Sequence, residues 1–172
     1  DGGSGNDTIA AGTGANRITG GANNDLITTG LGADTLIYDD GSGIDTITDF
    51  DLTDDGSGFT VDQFDVSGLT DAQGNPVNAY DVVVTDDGFG NARLTFPNGE
   101  AIVLQGIAPS SVDSAPKLFA MGIPCFLRGT VIDTPHGPRR IETLRVGDLV
   151  CVKDGPAQPI MWRARRKLGP EI

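Results

Sequence analysis

Between Gly2 and Thr48 one aliphatic side chain recurs every nine residues, at Ile9, Ile18, Ile27 and Leu36. The beat returns at Ile47 after two extra residues, Tyr38 and Asp39. Each aliphatic sits in a β-permissive triplet such as Thr8-Ile9-Ala10 or Arg17-Ile18-Thr19 and points one apolar group inward. A single unit of this kind cannot bury that side chain, so stacked units must share a core. The pattern predicts a repeat architecture of five short strands, in units Gly2–Ala10, Ala11–Thr19, Gly20–Thr28, Thr29–Ile37 and Asp40–Thr48.

The residues between the strands keep equally strict columns. The second position is Gly3, Gly12, Gly21, Gly30 and Gly41, and the fourth is Gly5, Gly14, Asn23, Gly32 and Gly43. Glycine or asparagine there lets the backbone enter left-handed dihedrals at little cost, so carbonyls turn inward in a tight loop. The sixth position is Asp7, Asn16, Asp25, Asp34 and Asp45. Hard oxygen ligands on a glycine-bent loop suit Ca²⁺ better than a softer metal. These columns resemble the RTX (haemolysin-type) calcium-binding nonapeptide. The resemblance implies a parallel β-roll with two units per turn and Ca²⁺ held between loops stacked one turn apart. The column residues, Asp and Asn at position six and Gly or Asn at two and four, are the expected calcium-binding set. Asn16 offers a neutral oxygen where the family prefers Asp, which implies a weaker site.

Beyond the repeats, Asp49-Phe50-Asp51 and Gln63 to Leu69 resemble the sequence that closes an RTX roll, where a terminal unit needs a cap for its apolar face. Tyr80–Thr85, Ala92–Phe96 and Ala101–Leu104 are strand-like runs separated by Asp/Gly- and Pro-Asn-Gly-rich turns, which predicts a small antiparallel β-meander. Asp51, Asp54 and Asp55 read as a solvated turn in preference to a further calcium loop. Ala108 to Lys117, with two prolines and three serines, reads as a linker.

Charge supports a division of the chain. Residues 1–116 carry 19 acids and 2 bases, a net of −17, and residues 117–172 carry 5 acids and 10 bases, a net of +5. The step reads as a domain boundary, and the acidic part is expected to resist compaction unless cations neutralise it. The longest apolar run, Leu118 to Leu127, is broken by Gly122 and Pro124 and is too short to span a membrane. The chain begins at Asp1 inside a repeat, which reads as a fragment of a longer parent. Two cysteines, Cys125 and Cys151, make no disulfide framework.

From Gly122 to Arg166 the pattern changes to short alternating strands broken by Pro-Gly and Asp-Gly turns. The segments Gly122-Ile123-Pro124-Cys125-Phe126, Gly129-Thr130, Thr134-Pro135-His136-Gly137 and Glu142-Thr143-Leu144-Arg145-Val146-Gly147-Asp148 are similar to the N-terminal part of a bacterial Hint domain, the fold of hedgehog autoprocessing domains and inteins. The resemblance implies that Cys125 is a nucleophile that attacks the carbonyl of Pro124 and converts the peptide bond into a thioester. A thiol suits that role, and attack on the adjacent carbonyl is intramolecular. The family also needs a downstream Thr-x-x-His segment. His136, the only histidine, stands in a turn and at the wrong spacing, so it is expected to be an exposed turn residue. Cys125 is therefore expected to be mostly inert here, or a small buried thiol at a strand start, and Cys151 a core residue. Arg163-Ala164-Arg165-Arg166-Lys167 reads as a solvated face or a docking surface for the acidic roll, since no aromatic interleaving accompanies it.

The expectation is an all-β, secreted, modular protein: a calcium-binding β-roll (1–50), a β-meander cap (51–107), a linker (108–121) and a truncated Hint domain (122–172). Its partners are calcium ions and other domains of a parent chain, with no nucleic acid and no membrane span. Two functions stay open. One is a calcium-dependent structural module with an incomplete Hint part. The other is a self-cleaving protein acting once through Cys125, with no turnover enzyme expected.

Overall fold

The structure is a computed structural model that describes residues 1–125, 130–152 and 155–160, with the side chain of Glu142 set aside. The chain divides into two compact units, Asp1–Cys125 and Phe126–Ile172.

In the first unit each repeat triplet is a strand: β1 (Thr8–Ala10), β2 (Arg17–Thr19), β3 (Leu26–Thr28), β4 (Thr35–Asp39) and β5 (Ile44–Ile47). Odd strands pair in one parallel sheet and even strands in another, so the chain coils with two units per turn. Ile9 sits opposite Ile27, Ile27 opposite Ile47, and Ile18 opposite Leu36. Ile18, Ile27, Leu36 and Ile47 are buried between the sheets, and Ile9 packs against them partly buried. One inward side chain per triplet is thus enough, because every turn lends its neighbour a wall.

The coil does not stop at residue 50. β6 (Gln63–Gly68) pairs parallel with β4, and Phe64 falls opposite Leu36. β7 (Val83–Asp86), β8 (Ala92–Thr95) and β9 (Ala101–Leu104) form the expected antiparallel meander. β9 also pairs parallel with β5, so the meander extends the roll's own sheet in the order β1-β3-β5-β9-β8-β7. The near-continuous apolar run Ala101-Ile102-Val103-Leu104 suits such an interior strand. Phe50 stacks on Phe64 with centroids 4.6 Å apart, and Tyr38 meets the same ring edge-on at 5.9 Å.

The segment expected to be a linker is packed instead. After a 3-10 turn at Pro109–Ser111, the helix α1 (Ala115–Ala120) starts with Pro116 in its first turn, where a missing N–H costs nothing. Val112, Leu118, Met121 and Ile123 are buried in the first unit's core. The Phe64 N–H donates to the Met121 carbonyl at 2.7 Å, and Thr60 N–H to that of Ala120 at 2.9 Å. Proline and serine set the turns here, but the four apolar side chains decide where the segment goes.

The second unit shows the expected short hairpins. β10 (Val131–Ile132) pairs antiparallel with β11 (Arg139–Arg140), and β12 (Leu149–Val152) with β13 (Gly155–Pro159). Arg139 pairs with Asp148 at 3.0 Å, and Asp148 also accepts the Arg145 N–H. Phe126, Gly129 and the basic run 163–167 lie outside the described residues. Among the described residues no helix is long and apolar enough to cross a membrane.

Candidate metal centre

The loops between strands stack as tightly as the strands. Gly21 has φ +103°, and a Cβ built there would lie 1.9 Å from the Gly3 carbonyl oxygen, so only glycine fits the contact. The Ala22 N–H donates to that same carbonyl at 2.8 Å. At the fourth position Asn23 takes φ 82°, the one positive value at a non-glycine among the described residues. Its glycine neighbours in both columns, Gly3, Gly5, Gly12, Gly14, Gly30, Gly32, Gly41 and Gly43, are all left-handed. Asparagine tolerates that region better than other L-residues.

The sixth-position side chains link one loop to the next. Asp25 Oδ1 accepts the Asp7 N–H at 2.8 Å, and Asp45 Oδ1 accepts the Asp25 N–H at 2.9 Å. On the other side Asp34 Oδ1 accepts the Asn16 N–H at 2.8 Å. Each of these three carboxylates spends one oxygen on the ladder. The second oxygen, Oδ2 of Asp25, Asp34 and Asp45, is buried and meets no hydrogen-bond donor, and Asp7 Oδ2 at the head of the column is orphaned in the same way. Unpartnered anionic oxygens inside a protein are costly unless a cation meets them.

Burial and the negative charge of Asp25 push the Asp45 carboxyl up to about 6, against the Asp25 N–H and the nearby Tyr38 hydroxyl, which favour its charged form. The donor set is all oxygen, on turns whose backbones carry further carbonyls, and it fits a hard cation such as Ca²⁺. Among the described residues no three His, Cys, Asp or Glu side chains converge. A cation held here would draw on carboxylates of two stacked loops and on backbone oxygens of the glycine turns, where it would neutralise apposed negative charge.

Two positions depart from this scheme. Asn16 turns its amide nitrogen toward Asp34 Oδ1 at 3.0 Å and Gly14 O at 2.9 Å, a donor where its counterparts offer charge. Asp62, which the repeat columns do not reach, continues the ladder after Asp34: its Oδ1 accepts the Asp34 N–H at 3.0 Å. Its Oδ2 accepts the Asp51 N–H and the Thr29 hydroxyl, so this carboxylate closes the ladder with protein donors. Asp49 caps the same loop by accepting from the N–H groups of Thr29 and Gly30. In sequence, only the apolar spacing after Asp62, which repeats that after Asp34, signals the role.

The remaining acidic turns satisfy themselves. Asp54 accepts from Gly56 and Gly58, Asp55 from Ser57, and Asp71 and Asp87 from the N–H groups and asparagine side chains of their own loops. This agrees with a solvated turn at 51–55.

Cys125 lies at the end of the first unit, half-buried in a bend. Its thiol donates to the Ala115 carbonyl at 3.6 Å, and burial pushes its pKa above the usual thiol value. The carbonyl of Pro124 accepts the Ala79 N–H at 2.7 Å. His136 is exposed in its turn, where its N–H donates to the Thr134 hydroxyl. Cys151 is exposed, not a core residue, because β12 pairs only with β13 among the described strands and neither buries a full face.

Residues 1–36 match the family of the RTX calcium-binding nonapeptide repeat (4 copies), and residues 124–171 match the Hint domain. The chain thus carries both modules, RTX repeats followed by a Hint domain. No curated protein matches the chain.

Proposed function

We propose that this chain is a calcium-ordered structural module of a secreted protein, joined to an incomplete Hint autoprocessing domain. The observation that carries the reading is the set of buried, unpartnered carboxylate oxygens on Asp7, Asp25, Asp34 and Asp45, stacked loop over loop. In water these acids repel one another, and one aliphatic side chain per unit does not offset the chain entropy of residues 1–50. A divalent cation between loops removes the repulsion and adds binding energy that only the folded form receives. Folding of the roll and calcium binding are then one event.

Titration of the chain with Ca²⁺, followed by circular dichroism, tests this. β-structure is expected to appear cooperatively, with affinity near the extracellular range of roughly 10⁻⁴–10⁻³ M. Identical spectra in chelator and in excess Ca²⁺ would overturn it.

A second reading, self-cleavage through Cys125, is favoured by one observation. The Pro124 carbonyl, the group the thiol would attack, is held by the Ala79 N–H, which polarises it and offers a donor to the oxygen as charge develops.

A further inference from the structure

We propose that Glu100 is a calcium ligand at the closed end of the roll, where the aspartate column of the odd-numbered strands has run out. The inference rests on the calcium reading above and adds a residue outside both family matches, which leave 37–123 uncovered.

β1, β3, β5 and β9 follow one another in a single sheet, so the loops that enter them form successive layers. The Asp7 N–H finds the Asp25 carboxylate in the next layer, and the Asp25 N–H finds that of Asp45. Asp45 faces Ile102 in the register of β5 with β9, so the fourth layer has an apolar side chain where the column calls for an acid. Glu100 brings a carboxylate to that layer from two residues earlier. Its carbonyl accepts the Phe96 N–H at 2.9 Å, which closes the turn Pro97-Asn98-Gly99. The Ala101 N–H donates to the Gly43 carbonyl at 2.9 Å, so the peptide after Glu100 is fixed on the fifth loop. The side chain meets the same loop, because Glu100 Oε1 accepts the Gly41 N–H at 3.0 Å.

Glu100 is 8% exposed, and its Oε2 is buried with no hydrogen-bond partner. Among the described residues the other carboxylates in that state are Asp7, Asp25, Asp34 and Asp45, all of the sixth-position column. The capping acids of the even strands differ. Asp49 and Asp62 direct both oxygens at N–H and hydroxyl groups of the chain. Ion pairs among the described residues join Arg17 to Asp65, Lys117 to Asp113 and Arg139 to Asp148, so no basic side chain meets Glu100. A buried carboxylate with a free oxygen is costly without a compensating charge. A hard divalent cation supplies that charge and takes the oxygen as a ligand. An ion on the fifth loop would then be held by Asp45 from its own layer and Glu100 from the next.

The chain has three glutamates, Glu100, Glu142 and Glu171, whereas every acid of the repeat column is aspartate. Infrared spectroscopy of the full chain with isotope-labelled glutamate carboxyls therefore reads Glu100 apart from the repeats. Ca²⁺ is expected to shift a glutamate carboxylate stretching band, and Glu100→Gln should remove the shifted band. Glutamine keeps an oxygen for the Gly41 N–H, and calorimetry on this variant should show one Ca²⁺ step weakened roughly tenfold, the scale of one lost charged contact. Asp71→Asn, in a turn where the carboxylate bonds its own loop, should leave the titration unchanged. Glutamate bands unmoved by Ca²⁺ while labelled aspartate bands do move overturn this inference and leave the calcium reading standing. A shifted band that survives Glu100→Gln, or unchanged Ca²⁺ affinity in that variant, has the same consequence. The unsubstituted chain's spectrum decides even where Glu100→Gln does not fold. Aspartate and glutamate bands that both ignore Ca²⁺ overturn both readings.

Discussion

The side-chain amide of Asn16 donates to Asp34 Oδ1 at 3.0 Å, one coil turn away, while Asp7 and Asp25 stand in the same relation with no side-chain donor between them. The first pair is already partly neutralised. The second keeps two unpartnered oxygens, and a cation has most to gain there.

Asp25→Ala is therefore expected to weaken Ca²⁺ binding more than Asn16→Ala does. Asp25 serves two steps of the ladder, accepting from Asp7 and donating to Asp45, whereas Asn16 contributes a neutral amide. Asp25→Asn separates charge from geometry, since it keeps an oxygen for the Asp7 N–H and removes only the charge. Calorimetry showing equal Ca²⁺ affinity for the two alanine variants would mean that these loops do not hold the ion.

Backbone substitution should separate two costs. Gly21→Ala both strains a φ of +103° and drives a Cβ to 1.9 Å from the Gly3 carbonyl oxygen. Gly41→Ala meets only the first cost, because open space surrounds it. The left-handed region costs an L-residue about 1–2 kcal/mol. Thermal unfolding in excess Ca²⁺ should show a loss of that size for Gly41→Ala and a clearly larger one for Gly21→Ala. Equal losses would contradict the stacking of the first loops.

The repeat columns are legible in sequence because each has a single physical role, whether a left-handed turn, a ladder acceptor or an inward apolar group. The two-residue slip at Tyr38-Asp39 is equally plain, but its consequence is not, since only the burial pattern along β4 shows which way Tyr38 points. Asp62 lies 28 residues beyond its partner Asp34 with no intact repeat around it, so little that is local marks it. The parallel pairing of β9 with β5 joins Ala101 to Ile44 across the whole capping region. Such non-local pairing is set by packing rather than by neighbouring residues. At 108–121 composition favours a loop, and burial of Leu118 and Met121 overrides it.

Acid should partly replace calcium. Burial first, then the charge of Asp25, raises the folded Asp45 carboxyl to about 6, and burial raises Asp62 as well. A raised carboxyl binds its proton more tightly in the folded chain, so its stabilising effect is complete below the ordinary carboxylate value and disappears as pH rises through the folded one. In calcium-depleted buffer, β-structure should therefore increase as pH falls from about 7 to about 5, and Asp45→Asn should flatten that dependence. The surface acids Asp40, Asp51 and Asp55, lowered by hydrogen bonds from Thr70, Thr53 and Ser57, act in the opposite sense only at lower pH. Circular dichroism across this range checks the sign, and a loss of structure between about pH 7 and 5 would refute it.

The last prediction concerns Cys125. The Ala79 N–H holds the Pro124 carbonyl, but burial raises the thiol's pKa and its hydrogen goes to the Ala115 carbonyl, so little thiolate forms near neutral pH. Attack also has to expel the amide nitrogen of Cys125, which leaves poorly unless it is protonated. The sole histidine, His136, sits exposed in its own turn. Incubation of this 172-residue chain with a strong thiol is therefore expected to yield almost no product ending at Pro124. In a parent extended by a Thr-x-x-His segment, the same treatment should cleave between Pro124 and Cys125, with the thiol intercepting a thioester. Cys125→Ala should abolish that cleavage, and Cys151→Ala, at an exposed position on β12, should leave it intact. Mass spectrometry of the thiol-treated chains decides between these outcomes. Substantial cleavage in the 172-residue chain would show that its own groups already activate the scissile amide.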